Sequence, residues 1–391
     1  MNGKLRAELE GVLASLSPRE RRKLAQRAER DRREARRRVA QVRGRRGLRG
    51  PGPQPDDPIE AWMIARLAHE RSPEERPVRP TTQREGRVIS LTRRWCEVLP
   101  DDAEEPVLCA LPTALARGQR SLIAVGDRVR FGPRDDDRPE VGEVLPRRTH
   151  LSRPDPQDPL ARQLLVANVD QVVVVVAAKD PPLRPGLIDR ALVGIAQGGA
   201  RPVLCVNKLD LIDTSEERAA LEASLAPYLA LDLPVHRVST KTGEGLDALA
   251  RRLSTGLSAL VGHSGVGKSS LLNALSPTAE AETGAVNAVV GKGRHTTTRS
   301  SLHPLPGGGA IIDTPGIRAF GLWRVEPREA AAFFPDLTPL AERCRYRDCL
   351  HIDEDPEGCA VQRAAAEGAL SPARYAGYRR IVASLQEELD G

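Results

Sequence analysis

The sequence predicts an α/β protein in which a parallel sheet covered on both faces follows a small β-barrel and precedes a helical segment. Three observations carry this. From Gln171 onward, strand-length apolar runs (Val172 to Val176, Pro202 to Val206, Ser258 to Val261, Ala310 to Ile312) alternate with helical segments, the pattern of buried parallel strands under crossover helices. Between Gly86 and Pro146, short β-type runs are separated by Gly, Asp and Pro clusters, which suits a small barrel. Beyond Glu326 the periodicity is helical and ends in a segment from Pro372 to Leu389.

The elements follow in chain order. Ser17-Pro18-Arg19-Glu20 has the form of a capped helix start, and an arginine-rich stretch runs on to about Val42. Gly44 to Pro58 breaks it, Ile59 to Glu70 could form a short amphipathic helix, and globular structure is expected from Arg84. Residues 1 to 50 hold 17 Lys+Arg against 6 Asp+Glu, so the basic character of a chain of net charge +6 is local. Such a segment can neutralise nucleic-acid phosphates, or it can be a solvated helix face or tail. The barrel runs are Arg87 to Leu91, Pro106 to Ala110 and Asp127 to Phe131. The expected division is 1–83 basic extension, 84–150 barrel, 151–325 nucleotide-binding α/β domain and 326–391 helical metal-binding domain. In 391 residues no apolar run approaches the ~18 needed to span a membrane, and a cytoplasmic, monomeric protein is expected.

Gly262-His263-Ser264-Gly265-Val266-Gly267-Lys268-Ser269 matches G-x-x-x-x-G-K-[ST] between an apolar run and the helical stretch that begins at Ser270. Its backbone N–H groups can cradle a polyphosphate, Lys268 can meet the outer phosphates, and the Ser269 hydroxyl can ligate Mg²⁺. His263 is expected to face solvent. Asn207-Lys208-Leu209-Asp210 ends another buried run. A carboxylate at Asp210 can accept from the ring N–H and exocyclic amine of guanine, whereas adenine would leave it unpaired; such a contact discriminates by about 1–3 kcal/mol. Asn207 would hold neighbouring loops, and the Lys208 stem would cover the base. Ser239-Thr240-Lys241 fits a loop that offers a backbone N–H to the guanine carbonyl.

Asp313-Thr314-Pro315-Gly316 follows an apolar run 45 residues after Lys268. Asp313 would organise Mg²⁺, and the Gly316 amide would face the γ-phosphate, so that this loop can respond when that phosphate leaves. Between them, Gly291 to Thr298 places a threonine run after a Gly-rich lead, with Thr297 the favoured Mg²⁺ ligand and Thr296 close behind. Ile317 stands where a water-positioning Gln often follows D-x-x-G. His295 is the candidate catalytic residue in its place, the alternative being an exposed structural histidine. Cys344-x4-Cys349-x-His351-x7-Cys359 offers three thiolates and an imidazole, a closed set suited to structural Zn²⁺. Cys96, Cys109 and Cys205 are expected to pack in strands.

The guanine box precedes the phosphate loop by 55 residues and the Asp313 box comes last, so the expected domain is a circularly permuted P-loop GTPase domain. Together with Ala167-Asn168-Val169-Asp170-Gln171, these motifs make the chain resemble the ribosome small-subunit-dependent GTPase A (RsgA) family over residues 84 to 391. That resemblance implies an OB-type barrel, GTP hydrolysis stimulated by the small ribosomal subunit and contact with its rRNA, a role in late maturation of that subunit, a hydrophobic residue at Ile317 and a switch histidine at His295. Two features depart from the family: a longer, more basic segment over residues 1–80, and a wider final gap in the Cys/His window. The competing readings are an RNA-bound scaffold that uses GTP and GDP as a slow switch, and an ATPase or small-molecule kinase.

Overall fold

The computed structural model describes residues 83–390 apart from 93, 113–114, 116–121, 134–138, 156–157, 277–299, 314–321, 324 and 356. The expectations for the basic extension therefore lie outside the described residues. Residues 80–155 and 161–382 belong to one compact unit; a second unit contributes only 158–160 and 383–390 to the described chain.

Five strands close the barrel: β1 (Arg84–Leu91), β2 (Trp95–Pro100), β3 (Val107–Ala110), β4 (Arg128–Pro133) and β5 (Pro139–Val144). Their neighbour order is β1-β2-β3-β5-β4, with β4 pairing back to β1, and the β3–β5 contact is the parallel one. This closure is that of an OB-type barrel. Alternate residues point inward, so Val88, Cys96, Val98, Cys109, Ile123, Val129, Phe131 and Val141 form its core. Strand β1 has a second role, because its last residues, Ser90 and Leu91, pair with Ser301 and Ser300 of the neighbouring sheet.

A two-stranded sheet of β6 (His150–Asp155) and β7 (Asp158–Ala167) leads into the main sheet. The latter holds β8 (Gln171–Ala177), β9 (Arg201–Asn207), β10 (Val235–Arg237), β11 (Leu257–Val261), β12 (Ser300–Pro304) and β13 (Ala310–Asp313). In space the order is β10-β9-β8-β11-β13-β12; β12 is antiparallel to β13 and the other pairings are parallel. The phosphate-loop strand β11 thus lies at mid-sheet although three strands precede it in the chain. Moving the chain's cut point leaves those contacts unchanged, which is why the permuted order folds.

The two sheet faces divide the strand residues by parity, as the pleat requires. Val172, Val174 and Val176 pack with Ile188 and Ile195 of α1 (Pro185–Gln197) and with Leu221 and Leu225 of α2 (Ser215–Leu229). Val173 and Val175 pack with Leu249 of α3 (Leu246–Leu253) and Leu271 of α4 (Lys268–Leu275). Helix α2 is capped by the Thr214 hydroxyl, which accepts from the Glu217 amide at 3.1 Å. A 3₁₀ segment, Pro327–Phe333, then leads to α5 (Thr338–Ala341), α6 (Ala360–Ala366) and α7 (Pro372–Asp390). Cys96, Cys109 and Cys205 are buried in β2, β3 and β9, and burial pushes each thiol up to about 12. Among the described residues no helix is long and apolar enough to cross a membrane.

Candidate nucleotide and metal sites

The carboxyl ends of parallel strands are where α/β sheets bind ligands, and the motif residues collect there. Asn207 ends β9, Gly262 follows β11, Ser239 lies two residues beyond β10, and Asp313 ends β13. Ile312 pairs with Ala259, so Asp313 lies one residue beyond that pair, toward the phosphate loop that begins at Gly262.

That loop requires glycine at two points of close approach. A Cβ on Gly262 would lie 2.2 Å from the Val175 carbonyl oxygen, and one on Gly267 (φ +91°) would lie 2.3 Å from Asn207 Nδ2. The second contact is the central one. Asn207, fully buried, donates from Nδ2 to the Val266 carbonyl at 3.0 Å and accepts at Oδ1 from the Thr240 amide at 3.3 Å. One side chain therefore ties the guanine box, the phosphate loop and the Ser239 loop together, although its two partners lie 59 and 33 residues away in the chain.

Asp210 is aimed by the same loop. Its Oδ1 accepts from Ser239 Oγ at 2.6 Å, while Lys241 Nζ lies 4.0 Å from Oδ2. Ser239 Oγ in turn accepts from the amides of Lys241 (3.3 Å) and Thr242 (3.2 Å). Leu209 is buried beneath, and its amide donates to the Val238 carbonyl at 3.2 Å. Lys208 takes a left-handed conformation (φ 65°) and its Nζ donates to the Asp180 carbonyl, so its stem spans from one loop to the next.

Lys268 Nζ donates to the Gly262 and His263 carbonyls, each at 2.8 Å. Ser264, Gly265, Ser269 and Ser270 are exposed along the mouth, as is His263, whose Nδ1 lies 3.0 Å from the Ser264 carbonyl. His295, Thr296, Thr297, Gly316 and Ile317 lie outside the described residues. The reading from sequence missed the turn at Asp180 and Pro181, which reaches the phosphate loop: Pro181 Cδ lies 3.7 Å from the position of a Cβ on Gly265. No local motif marks that turn; only the pairing of β8 beside β11 places it there.

The four candidate ligands in the C-terminal segment converge. One ligand atom from each of Cys344, Cys349, His351 and Cys359 lies within 4.8 Å of all the others. His351 Nδ1 is 3.5 Å from both Cys344 Sγ and Cys359 Sγ, and those two sulfurs are 4.0 Å apart. Tetrahedral Zn–S and Zn–N bonds give S···N edges of about 3.6 Å and S···S edges of about 3.8 Å, so the donor set and its spacing fit zinc. His351 adopts φ 57°, which turns the chain back between Cys349 and the long gap. Within that gap, Glu354 folds back to accept from the Leu350 and Ile352 amides. From α7, Tyr375 Oη donates to the His351 carbonyl (2.7 Å) and Tyr378 Oη to the Leu350 carbonyl (2.8 Å). These supports were not legible as a motif, since two tyrosines on a helix carry no metal signature.

The same helix is pinned to the sheet domain. Arg374, 3% exposed, donates to Asp336 (2.9 and 3.1 Å) and to Asp189 of α1 (2.7 Å), with its guanidinium 4.7 Å above the Phe334 ring. Tyr228 Oη of α2 donates to Asp189 at 3.2 Å.

Comparisons with known proteins agree with this architecture. Residues 144–323 match the sequence profile of the RsgA GTPase family. A protein of Gemmatimonas aurantiaca named small ribosomal subunit biogenesis GTPase RsgA is 44% identical over 272 residues, covering 69% of this chain and 85% of the relative. The protein of that name from Azotobacter vinelandii is 38% identical over 342 residues, covering 84% and 96%. Among solved structures, YjeQ from Thermotoga maritima superposes with a TM-score of 0.59 at 32% identity, over 78% of this chain and 99% of that one. YloQ, described as a circularly permuted GTPase, gives 0.59 at 27% identity over 79% and 98%.

Proposed function

This chain belongs to the RsgA GTPase family, and we propose that it hydrolyses GTP to GDP and phosphate as an assembly factor in late maturation of the small ribosomal subunit. The observation that carries the nucleotide reading is the Asn207 Nδ2 bond to the Val266 carbonyl. Through it, a carboxylate able to select a base and an amide-lined phosphate cradle would share one site.

Asp210, pre-aimed by Ser239, would accept from guanine, and the amide of Thr240 or its neighbours would face the guanine carbonyl. The amides of residues 263 to 270 would line the triphosphate, and Lys268 would exchange its two carbonyl partners for phosphate oxygens. Ser269, Asp313 and Thr297 supply the hard oxygen donors that Mg²⁺ prefers; when bound, the ion neutralises charge on the outer phosphates. His295 would orient the attacking water that Ile317 cannot bond, and the Gly316 amide would sense the γ-phosphate. Cys344, Cys349, His351 and Cys359 would hold one structural Zn²⁺, whose closed shell leaves no position for substrate.

The domain division stated from sequence, a monomeric state, a cytoplasmic location and contact of the barrel and the basic residues 1–83 with rRNA complete the proposal. Its support is the family membership together with an Asp313 strand next to β12, which pairs with barrel strand β1. Single-turnover GTP hydrolysis with and without purified small subunits tests it: subunits should accelerate the step by orders of magnitude. Equal rates would instead favour an RNA-bound scaffold with a slow nucleotide switch.

A further inference from the structure

Where barrel strands β1 and β4 meet the connection to the main sheet, Arg87, Arg128, Leu145, Pro146, Arg148 and Asn168 line a cleft of ≈ 290 Å³. Its charge arrangement is unusual for a structural seam. Arg87 and Arg128 are directly opposed partners of the antiparallel β1–β4 ladder, a placement in which like charges destabilise a sheet. Arg128 is answered by Asp101, whose two carboxylate oxygens accept from Nη1 (2.5 Å) and from Nη2, and by Glu85 at 3.5 Å. Arg148, 71% exposed, meets Asp170 at 3.4 Å. Arg87 Nη1 is buried and, among the described residues, has no hydrogen-bond partner.

An unpartnered guanidinium nitrogen away from water is expensive, and the surroundings do not relieve it. Burial lowers the Arg87 pKa most, Arg128 and Arg148 lower it further, and only Asp170 and Asp101 oppose them. Asn168, which also lines the cleft, accepts from the Arg148 amide at 2.9 Å and donates to the Gly126 carbonyl at 3.1 Å. An anion able to accept several N–H bonds from differing directions would complement these guanidiniums. A tetrahedral phosphate does this, and guanidinium forks match its oxygens.

We propose that this cleft is a phosphate-binding site, separate from the phosphate loop, in which Arg87, Arg128 and Arg148 converge on one phosphate group. The phosphate could belong to an RNA backbone or be free in solution; the chemistry of recognition is shared. The proposal is independent of how the nucleotide site is read.

The test uses the full-length chain loaded with Mg²⁺ and GDP, so that the nucleotide loop is filled. Inorganic phosphate, compared with chloride at equal ionic strength, should raise the thermal midpoint of the wild type. Arg87→Gln should abolish that rise, and Arg148→Gln, whose exposed side chain puts folding at little risk, should reduce it. Arg87→Met should be the more stable chain in chloride and lose that lead in phosphate. A single-stranded 12-nucleotide RNA, followed by fluorescence anisotropy, identifies the source. If RNA supplies the group, Arg87→Gln lowers affinity about three- to tenfold and shallows the log–log salt slope by about one. An unchanged RNA affinity with a lost phosphate response assigns free phosphate. The proposal is overturned if both glutamine variants respond to both probes as the wild type does, or if the wild type responds to neither.

Discussion

Replacing Arg374 should do more damage than replacing either carboxylate it meets. The side chain is 3% exposed, and Asp189 is 2% exposed. In Arg374→Met the stem volume is kept, but Asp189 and Asp336 lose their shared cation. Breaking a buried pair by removing one partner costs about 3–5 kcal/mol, and loss of the guanidinium over Phe334 adds about 1 kcal/mol, so a loss of about 4–6 kcal/mol is expected. Asp189→Asn should cost only about 1 kcal/mol. Burial, the largest influence on Asp189, already raises its pKa despite Arg374, Tyr228 and Arg380, whereas Arg374, desolvated too, is raised overall by Asp336 first and Asp189 next. The cation is thus served by two partners, and Asp189 carries a net burial penalty that the amide relieves.

The sign with pH follows. A carboxyl whose folded pKa lies above its unfolded value favours the folded state at low pH and loses that contribution as pH rises. Without Arg374 the raised pKa of Asp189 rises further, so the deficit of Arg374→Met relative to wild type should shrink as pH falls from 7 toward 5. Urea unfolding of the zinc-loaded chain, followed by circular dichroism at both pH values, measures this. A deficit under about 1 kcal/mol, or one that grows on acidification, would refute the reasoning.

Three further outcomes are expected. Elemental analysis should find one zinc per chain, absent from Cys344→Ser, and chelation should make residues 326–390 the first segment cut by limited proteolysis. Asn207→Ala strands the Thr240 amide and the Val266 carbonyl in a buried site, so GTP affinity measured by titration calorimetry should fall about tenfold to a hundredfold; an unchanged affinity would count against its bridging role. His295→Ala should slow subunit-stimulated hydrolysis while leaving GTP affinity intact, and equal slowing of binding would point to a structural histidine instead.

Much of this site was legible because its chemistry is local. The phosphate loop, the guanine box and the Cys/His window are short runs recognisable by their spacing, and the four apolar runs became β8, β9, β11 and β13 with ends within a residue or two. Strand β12 was not anticipated, since Ser300–Pro304 is polar and owes its place to pairing with β13 and β1. The β6 and β7 strands were missed as well; β6 alternates weakly, with half-buried residues on either side of buried Leu151. Arg374, Tyr375 and Tyr378 lie in the C-terminal segment expected to be helical; their roles depend on partners such as Asp189, 185 residues away, which no window of sequence can supply.

The shared nucleotide site is tested most directly at Asp210. Xanthine carries a carbonyl where guanine carries the exocyclic amine, so an amide at this position can donate where the carboxylate could only accept. Competition binding of GTP, XTP and ATP should show the wild type preferring GTP by at least tenfold over both. Asp210→Asn should lose GTP and gain XTP, with Lys268 still required for either. Retention of GTP preference by Asp210→Asn would mean that the carboxylate does not read the base, and that the guanine box and phosphate loop do not serve one ligand.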